Sequence, residues 1–216
     1  LNGEQIINHR MKAVDATRAQ TFVIKRSGRE LSPINRVRVV KRGRGMLYFN
    51  AALEYHTNDE VTPAQGTSEL QLMREYLRLR IDESSGKPEW KLEPLTGEVR
   101  SGDLIVSRLT VKGAPAQHLM IEDPIPAGFE QTSRVGGFEL DYTDGKWSDW
   151  YSSREFRDER TVFFVNFFDG EATFQYAMRV QIPGDFRVAP ARAELMYRPQ
   201  VNANAPSARM TIKDKE

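Results

Sequence analysis

The stretch Ala172–Ile182 constrains the fold more than any other part of this chain. Polar residues such as Thr173, Gln175 and Arg179 occupy alternate positions along it. The positions between them are apolar without a break: Ala172, Phe174, Tyr176, Met178, Val180 and Ile182. Strict alternation is the period of a β-strand with one face on a core and the other in water. The stretch therefore predicts a sandwich strand with one solvated side.

Short strand-like runs recur from Trp90 onward, separated by turn residues. Thr161–Phe168 is apolar on both faces, as in a central strand. Asp144-Gly145 is a hairpin signal, because both residues tolerate positive φ. Several short strands at this spacing are typical of an antiparallel sandwich. We therefore predict an all-β fold whose larger part is an antiparallel β-sandwich.

Glu69–Ile81 permits two interpretations. Leu70, Met73, Leu77 and Ile81 have helical spacing, and the segment is rich in residues that favour helices. Taken alone, the segment favours a helix. The strongly β character of the neighbouring sequence favours a strand, because tertiary context overrides local propensity.

The N-terminal part differs from the rest in charge. Residues 1–45 hold 11 Lys or Arg and 3 Asp or Glu, a net charge of +8, and the remainder carries −7. The split indicates two modules of opposite sign. Strand-like runs at Thr21–Lys25, Val37–Lys41 and Met46–His56 predict a smaller β domain over residues 1–60, preceding the sandwich of residues 68–216. Residues 61–67 are polar and contain Pro63 and Gly66, which predicts a linker.

The basic run Arg36–Arg44 has two interpretations. A cluster of cations can bind phosphate. Val37 and Val39 alternate with the charges, which favours a strand with one solvated basic face.

The sequence contains no motif for catalysis, cofactor binding or metal binding. It has no Cys, and its three histidines, His9, His56 and His118, lack metal-ligand spacing. The net charge of +1 gives no support for a nucleic-acid partner, and no apolar run approaches the roughly 20 residues that span a bilayer. We predict a non-enzymatic chain without cofactor, metal or direct membrane insertion. Because it opens at Leu1 without an initiator Met, we expect a segment of a larger protein.

Two groups of motifs resemble one protein family. The first is Gly102-Asp103 followed by Ile121–Glu130, which contains Asp123-Pro-Ile-Pro-Ala-Gly128. The second is Arg157-Asp-Glu-Arg160 followed by Pro183–Pro199, which contains Met196-Tyr197. In this order and spacing they are similar to the C-terminal macroglobulin-like domain, a fibronectin-III-like sandwich, of bacterial α2-macroglobulins. Residues 1–60 resemble strands that complete a CUB-type β domain in that family. The resemblance implies a strand at Glu69–Ile81.

The resemblance also implies a function for the parent protein. Members of the family are periplasmic, often lipid-anchored to the inner membrane, and trap proteases after cleavage of a bait region. Many carry a Cys-containing thioester, which a chain without Cys cannot hold. We therefore expect a non-catalytic C-terminal module that packs against other domains of the same polypeptide. Its further partners would be target proteases and other envelope proteins, reached through the full-length protein.

The resemblance singles out specific residues, each with an alternative role. Met196 and Tyr197 are expected to contact a neighbouring domain and shield a thioester, if the parent has one, or else to pack the last strands. Pro124, Pro126 and Gly128 shape the loop that follows Asp123, which is either purely structural or a docking surface. Charged groups at Arg157, Asp158 and Arg160 are expected to fix a corner by ion pairing.

Two other functions fit parts of the sequence. One is a scaffolding component of an envelope complex without inhibitory activity. The other is a carbohydrate-binding sandwich, suggested by Trp90, Trp147, Trp150 and Tyr151, because aromatic rings stack on sugars. Core packing is the simpler role for those aromatic residues.

Overall fold

The computed structural model of this chain describes residues 1–32, 34–54, 61–82, 89–132, 134–135, 138–139 and 152–215. The chain divides into two units, Leu1–His56 and Thr57–Glu216. The second unit contains fifteen strands among these residues. They are β1 Leu70–Asp82, β2 Glu89–Pro94, β3 Val99–Arg100, β4 Leu104–Gly113, β5 Ala116–Pro124, β6 Phe129–Thr132, β7 Arg134–Val135, β8 Phe138–Glu139, β9 Ser152–Arg157, β10 Arg160–Phe168, β11 Glu171–Val180, β12 Gly184–Val188, β13 Arg192–Leu195, β14 Arg198–Asn204 and β15 Ala208–Lys213.

Two antiparallel five-stranded sheets form the sandwich. The order is β2-β1-β4-β11-β6 in the first sheet and β14-β13-β5-β10-β9 in the second. Apolar side chains from both sheets share one core; for example, Phe163 of β10 and Phe174 of β11 have ring centroids 5.2 Å apart. Smaller sheets consist of β12-β15-β3 and of β7-β8. The predicted all-β sandwich is confirmed, and Glu69–Ile81 lies in a strand because β1 pairs on both sides, with β2 and β4.

The strand β11 differs from its prediction in two respects. The expected buried face is present, with Phe174, Tyr176 and Met178 in the core. The opposite face was predicted to be solvated, but Ala177 is buried there beside Leu77, Leu79 and Val106 in a second apolar cluster. Ile182 was predicted on the buried face, but it lies beyond the end of the strand and is exposed. The first sheet is therefore apolar on both faces over part of its area.

Residues 61–67, predicted as a linker, are attached to the sandwich. Thr62 and Ser207 exchange two hydrogen bonds, of 2.8 and 2.9 Å. Gln65 and Asn204 form a bridge of two backbone hydrogen bonds. The segment lies against the end of β14 because its backbone groups find partners there.

The first unit shows two short 3₁₀ helices, Ala13–Thr17 and Gly28–Glu30, among its described residues 1–32 and 34–54. The strands predicted at Thr21–Lys25, Val37–Lys41 and Met46–His56 are not formed in that part of the chain; Tyr55 and His56 lie outside it. Apolar residues of these runs, such as Val40, Phe49 and Leu53, are exposed. Strand formation requires a paired neighbour and an apolar face to cover. A CUB-type domain completed by other strands therefore stays a prediction.

One buried carboxylate connects the two sheets. Asp123, near the end of β5, is fully buried and forms a 2.8 Å ion pair with Arg74 of β1, whose side chain is 2% exposed. Its Oδ2 accepts hydrogen bonds from Ser107 of β4, at 2.7 Å, and from Tyr176 of β11, at 2.8 Å. Since the donors belong to three adjacent strands of the first sheet, Asp123 fixes β5 against all of them.

Arg74 extends this network to the connecting segments. Its guanidinium donates to the backbone oxygens of Ala189, at 2.8 Å, and of Pro206, at 3.0 Å. Burial, followed by the charge of Asp123, raises the pKa of Tyr76 and of Tyr176 well above the ordinary tyrosine value, so both phenols are neutral in the folded protein.

A glycine turn follows Asp123. Phe129 donates a backbone hydrogen bond to Pro126, at 3.1 Å, with Gly128 inside the turn at φ +87°. A Cβ atom on Gly128 would lie 2.8 Å from a ring carbon of Phe186 and 2.9 Å from the carbonyl oxygen of Ile182. The position therefore requires glycine both for its conformation and for the close approach of β12.

Removing the cation of the cross-sheet pair should destabilise the sandwich strongly. Arg74→Met leaves the Asp123 carboxylate buried without its counter-charge, and we expect the free energy of unfolding to fall by about 3–5 kcal/mol. Urea denaturation of the full chain measures this loss. Arg198→Met is the matched control, because Arg198 pairs with Glu69 at 3.0 Å on the surface; we expect a loss of about 0–1 kcal/mol there. Equal losses in the two variants would contradict the role of Asp123.

Gly128→Ala should be more damaging than Gly97→Ala. Gly97 has a similar φ of +79°, but a Cβ atom there meets no atom within 4 Å. Both substitutions strain the backbone, and only Gly128→Ala also forces a clash with Phe186 and Ile182. We expect Gly128→Ala to cost about 1–3 kcal/mol more, measured by thermal unfolding. Similar midpoints for the two variants would show that β12 can shift away.

Candidate interdomain contact site

The residues that sequence analysis singled out lie at two different ends of the second sheet. Asp123 lies near the C-terminal end of β5, the loop to Gly128 follows that end, and the turn between β9 and β10 lies beside them. Met196 and Tyr197 lie beyond the opposite end, where the ladder between β5 and β13 stops at the pair Leu119–Leu195. The structure therefore separates the predicted residues into a loop group and a hairpin tip.

The loop group is held by its own charges and backbone. Arg160, at the start of β10, pairs with Glu122 at 3.1 Å and also with Glu159. Glu159 accepts a 2.9 Å backbone hydrogen bond from Ile125. Hydrogen bonds to Glu159 and Glu122 raise the pKa of the Arg160 guanidinium above its ordinary value. The predicted corner is thus fixed by Arg160.

The other members of the loop group differ in environment. Arg157 pairs with Glu155 of its own strand, at 2.8 Å, and Asp158 is exposed in the turn. Pro126 is buried and Pro124 is partly buried. These groups shape the loop and its charges neutralise one another, which suits a structural corner better than proton transfer. In the described residues no cluster of His, Asp and Glu could hold a metal ion, and no helix is long and apolar enough to cross a membrane.

The hairpin tip is a tight turn between β13 and β14. Leu195 pairs with Arg198, so that Met196 and Tyr197 are the two turn residues. The Met196 N–H donates a 2.9 Å hydrogen bond to the carbonyl oxygen of His118 on the adjacent strand β5. The rings of His118 and Tyr197 lie edge to face, with centroids 5.0 Å apart and planes at 86°. The turn is therefore attached to its neighbouring strand by main chain and side chain.

The conformation of the tip is unusual for a two-residue hairpin. Such turns normally contain residues with positive φ, which match the twist of the strands. Among the described residues, the non-glycine positions with positive φ are Asn2 and His118. Met196 and Tyr197 thus have negative φ, and the pairing of β13 with β14 shifts register between Glu194 and Leu195. The irregularity absorbs the mismatch of twist.

The tip presents apolar groups to solvent. Met196 is 45% exposed and Tyr197 is 78% exposed. Phe167 of β10, 63% exposed, pairs with Gln117, the residue before His118. We call Met196, Tyr197, His118 and Phe167 the tip surface. Met and aromatic side chains are enriched where one protein surface packs on another, so this arrangement suits a contact with another domain.

The sequence pattern does not reveal His118 and Phe167 as members of this surface. His118 stands far from Tyr197 along the chain, so nothing in the sequence brings the two residues together. No local pattern marks a histidine that adopts a positive φ. The exposure of Phe167 could not be inferred from the sequence, because the run Thr161–Phe168 is apolar on both faces and does not indicate which face is solvated.

Some predicted features lie outside the described residues. The hairpin at Asp144-Gly145 and the aromatic residues Trp147, Trp150 and Tyr151 are among them, and only the backbone of Trp90 is described, in β2.

Comparison with known proteins identifies the family of the sandwich. Residues 70–200 match the family of the bacterial alpha-2-macroglobulin MG10 domain. An alpha-2-macroglobulin of Xylella fastidiosa (strain 9a5c) is 27% identical over 193 residues, a match that covers 82% of this chain and 11% of the relative. The chain therefore spans about a tenth of the length of this curated relative.

Solved structures of two bacterial relatives have the same fold. Native alpha-2-macroglobulin of Escherichia coli, spanning domain MG7 to the C-terminus, is 25% identical with a TM-score of 0.54, over 69% of this chain and 24% of that one. Salmonella alpha-2-macroglobulin reacted with methylamine is 22% identical with a TM-score of 0.53, over 70% of this chain and 10% of that one. Since the family match covers more than half of the sequence, the chain belongs to the bacterial α2-macroglobulin family, and its sandwich is the macroglobulin-like MG10 domain.

Proposed function

We propose that this chain is the non-catalytic C-terminal module of a periplasmic α2-macroglobulin that traps proteases, and that the module docks on a neighbouring domain through its tip surface. The single observation that supports docking is the composition of the tip. A tight turn is normally filled by Gly, Asn or Asp, whereas here it contains an exposed Met and an exposed Tyr. Neither residue type favours a tight turn, and both side chains leave much of their apolar surface exposed, so a contact outside the described fold is the simplest reason for them.

The tip has the physical properties of a docking surface. Tyr197 offers a large, amphipathic ring with few rotatable bonds, and Met196 offers a flexible thioether that adapts to a pocket. The hydrogen bond to His118 holds the turn in place before binding, which lowers the entropic cost of association. In a parent with a thioester, the same apolar cover would exclude water from the reactive bond.

The trap function belongs to the full-length protein. Family membership supports it, as does the absence of a catalytic or metal motif in the sequence. We place the parent in the periplasm because the resemblance to family members implies it. The module itself would act by holding neighbouring domains in the uncut arrangement.

Docking predicts that Met196 is protected in the full-length protein. Hydrogen peroxide oxidises exposed methionines, so Met196 should react at least several-fold more slowly in the parent than in this chain, as measured by peptide mass spectrometry. Met178 is fully buried in the chain and should remain slow in both, which controls for unfolding. Equal rates for Met196 in the two proteins would remove the docking proposal.

If the parent carries a thioester, Met196→Ala in the parent should increase its rate of hydrolysis. Met73→Ala is a matched control, because Met73 is also an exposed methionine of the same unit; it should leave the rate unchanged. Unchanged hydrolysis in Met196→Ala would exclude the shielding role while leaving docking open.

The trap function predicts a large compaction of the full-length protein after limited proteolysis. The enclosed protease should lose activity on large substrates and keep it on small peptides. Small-angle scattering and paired substrate assays measure the two effects. A cut protein with unchanged shape and unchanged protease activity would contradict the trap and favour a scaffolding role.

A further inference from the structure

The backbone of His118 is in a conformation that is uncommon for a residue with a Cβ atom. His118 lies within β5, where extended backbone has negative φ, but its φ is +56°. This left-handed region is uncommon for residues with a Cβ atom, although Asn, Asp and His adopt it more often than the others, and glycine adopts it readily. Residues are held in such conformations when surrounding contacts over-determine them, and they cluster where structure serves function.

The contacts that hold His118 are with the tip. Its carbonyl oxygen accepts the 2.9 Å hydrogen bond from Met196, and its ring packs edge to face on Tyr197. The pairing of β5 with β13 ends one residue earlier, at Leu119 and Leu195. The carbonyl group of His118 thus adds one main-chain hydrogen bond beyond the end of the ladder, to Met196, the first residue of the turn.

We infer that His118 is a positioning residue for the tip: its left-handed backbone aims the carbonyl at Met196, and its ring sets the orientation of Tyr197. The inference rests on the proposed docking function, which it deepens by naming the residue that prepares the surface. The strain at His118 is compensated by the two contacts. Without the ring contact, the backbone relaxes toward extended values and the carbonyl leaves Met196.

The test compares His118→Ala with His118→Phe in the full chain, by amide hydrogen exchange at Met196. His118→Ala loses the ring contact that compensates the unfavourable φ, so the carbonyl should leave Met196 and exchange there should accelerate roughly five- to tenfold, the equivalent of one net hydrogen bond. His118→Phe retains an aromatic ring for Tyr197 and should stay within about twofold of the unmodified chain. If the exchange rate at Met196 in His118→Ala equals that of the unsubstituted chain, the inference is overturned.

A second comparison tests the strain itself. His118→Gly and His118→Ala both lose the ring, but only alanine is unfavourable at φ +56°. We expect the folded-to-unfolded ratio of His118→Gly to exceed that of His118→Ala by roughly threefold or more. A ratio in His118→Ala equal to or above that in His118→Gly would overturn the inference.

The two levels of the proposal can fail separately. Exchange at Met196 is measured in this chain alone, so a negative result there removes the role of His118 and leaves docking intact. Protection of Met196 from peroxide in the full-length protein measures docking and does not depend on how the turn is positioned.

Discussion

The carboxylate of Asp123 sets the geometry on which both ends of β5 depend. It is buried between the sheets and is bonded to Arg74, Ser107 and Tyr176, which belong to three adjacent strands of the opposite sheet. A buried charge is strongly unfavourable without its partners. If the sheets slid past one another, Asp123 would lose these partners while still buried, so such a movement is strongly disfavoured. β5 is therefore fixed along its length, with the proline-containing loop at one end and the tip at the other.

The network acts through register. A slip of β5 by one residue would turn Asp123 away from Arg74 and direct Glu122 or Pro124 into the core. Glu122 already pairs with Arg160 on the partly exposed side, so the slip would break two ion pairs and bury a charge that has no donor. Apolar residues alone specify such a register less strictly, because neighbouring apolar side chains substitute for one another with modest cost. The buried charge thus fixes the position of β5, and with it that of His118, relative to the first sheet.

The sandwich was predictable because the alternation of apolar and polar residues along a strand can be seen in the sequence of that strand alone, whichever strands it pairs with. Phe174, Tyr176 and Met178 are buried as the pattern requires. Burial of Ala177 was not predictable, because it depends on Leu77 and Leu79 from β1, a segment whose own periodicity also fits a helix. The network was hidden for a similar reason, since its members are single residues scattered over β1, β4, β5 and β11. In the described residues of the first unit, alternation is present without a paired strand, and the pattern alone does not make a sheet.

The turns of this domain show that the tip departs from the rules that its other chain reversals follow. Gly102, Gly128 and Gly170 have positive φ at other chain reversals. Glycine is the residue that adopts this conformation with the least strain. At the tip the turn residues are Met and Tyr with negative φ, the ladder shifts register beside them, and a histidine on the next strand carries a positive φ instead. Local rules are broken at three adjacent places that share one hydrogen bond and one ring contact. The hydrogen bond between Met196 and His118 and the ring contact between His118 and Tyr197 compensate these departures within the chain, so the tip keeps a defined conformation although its residues break the local rules.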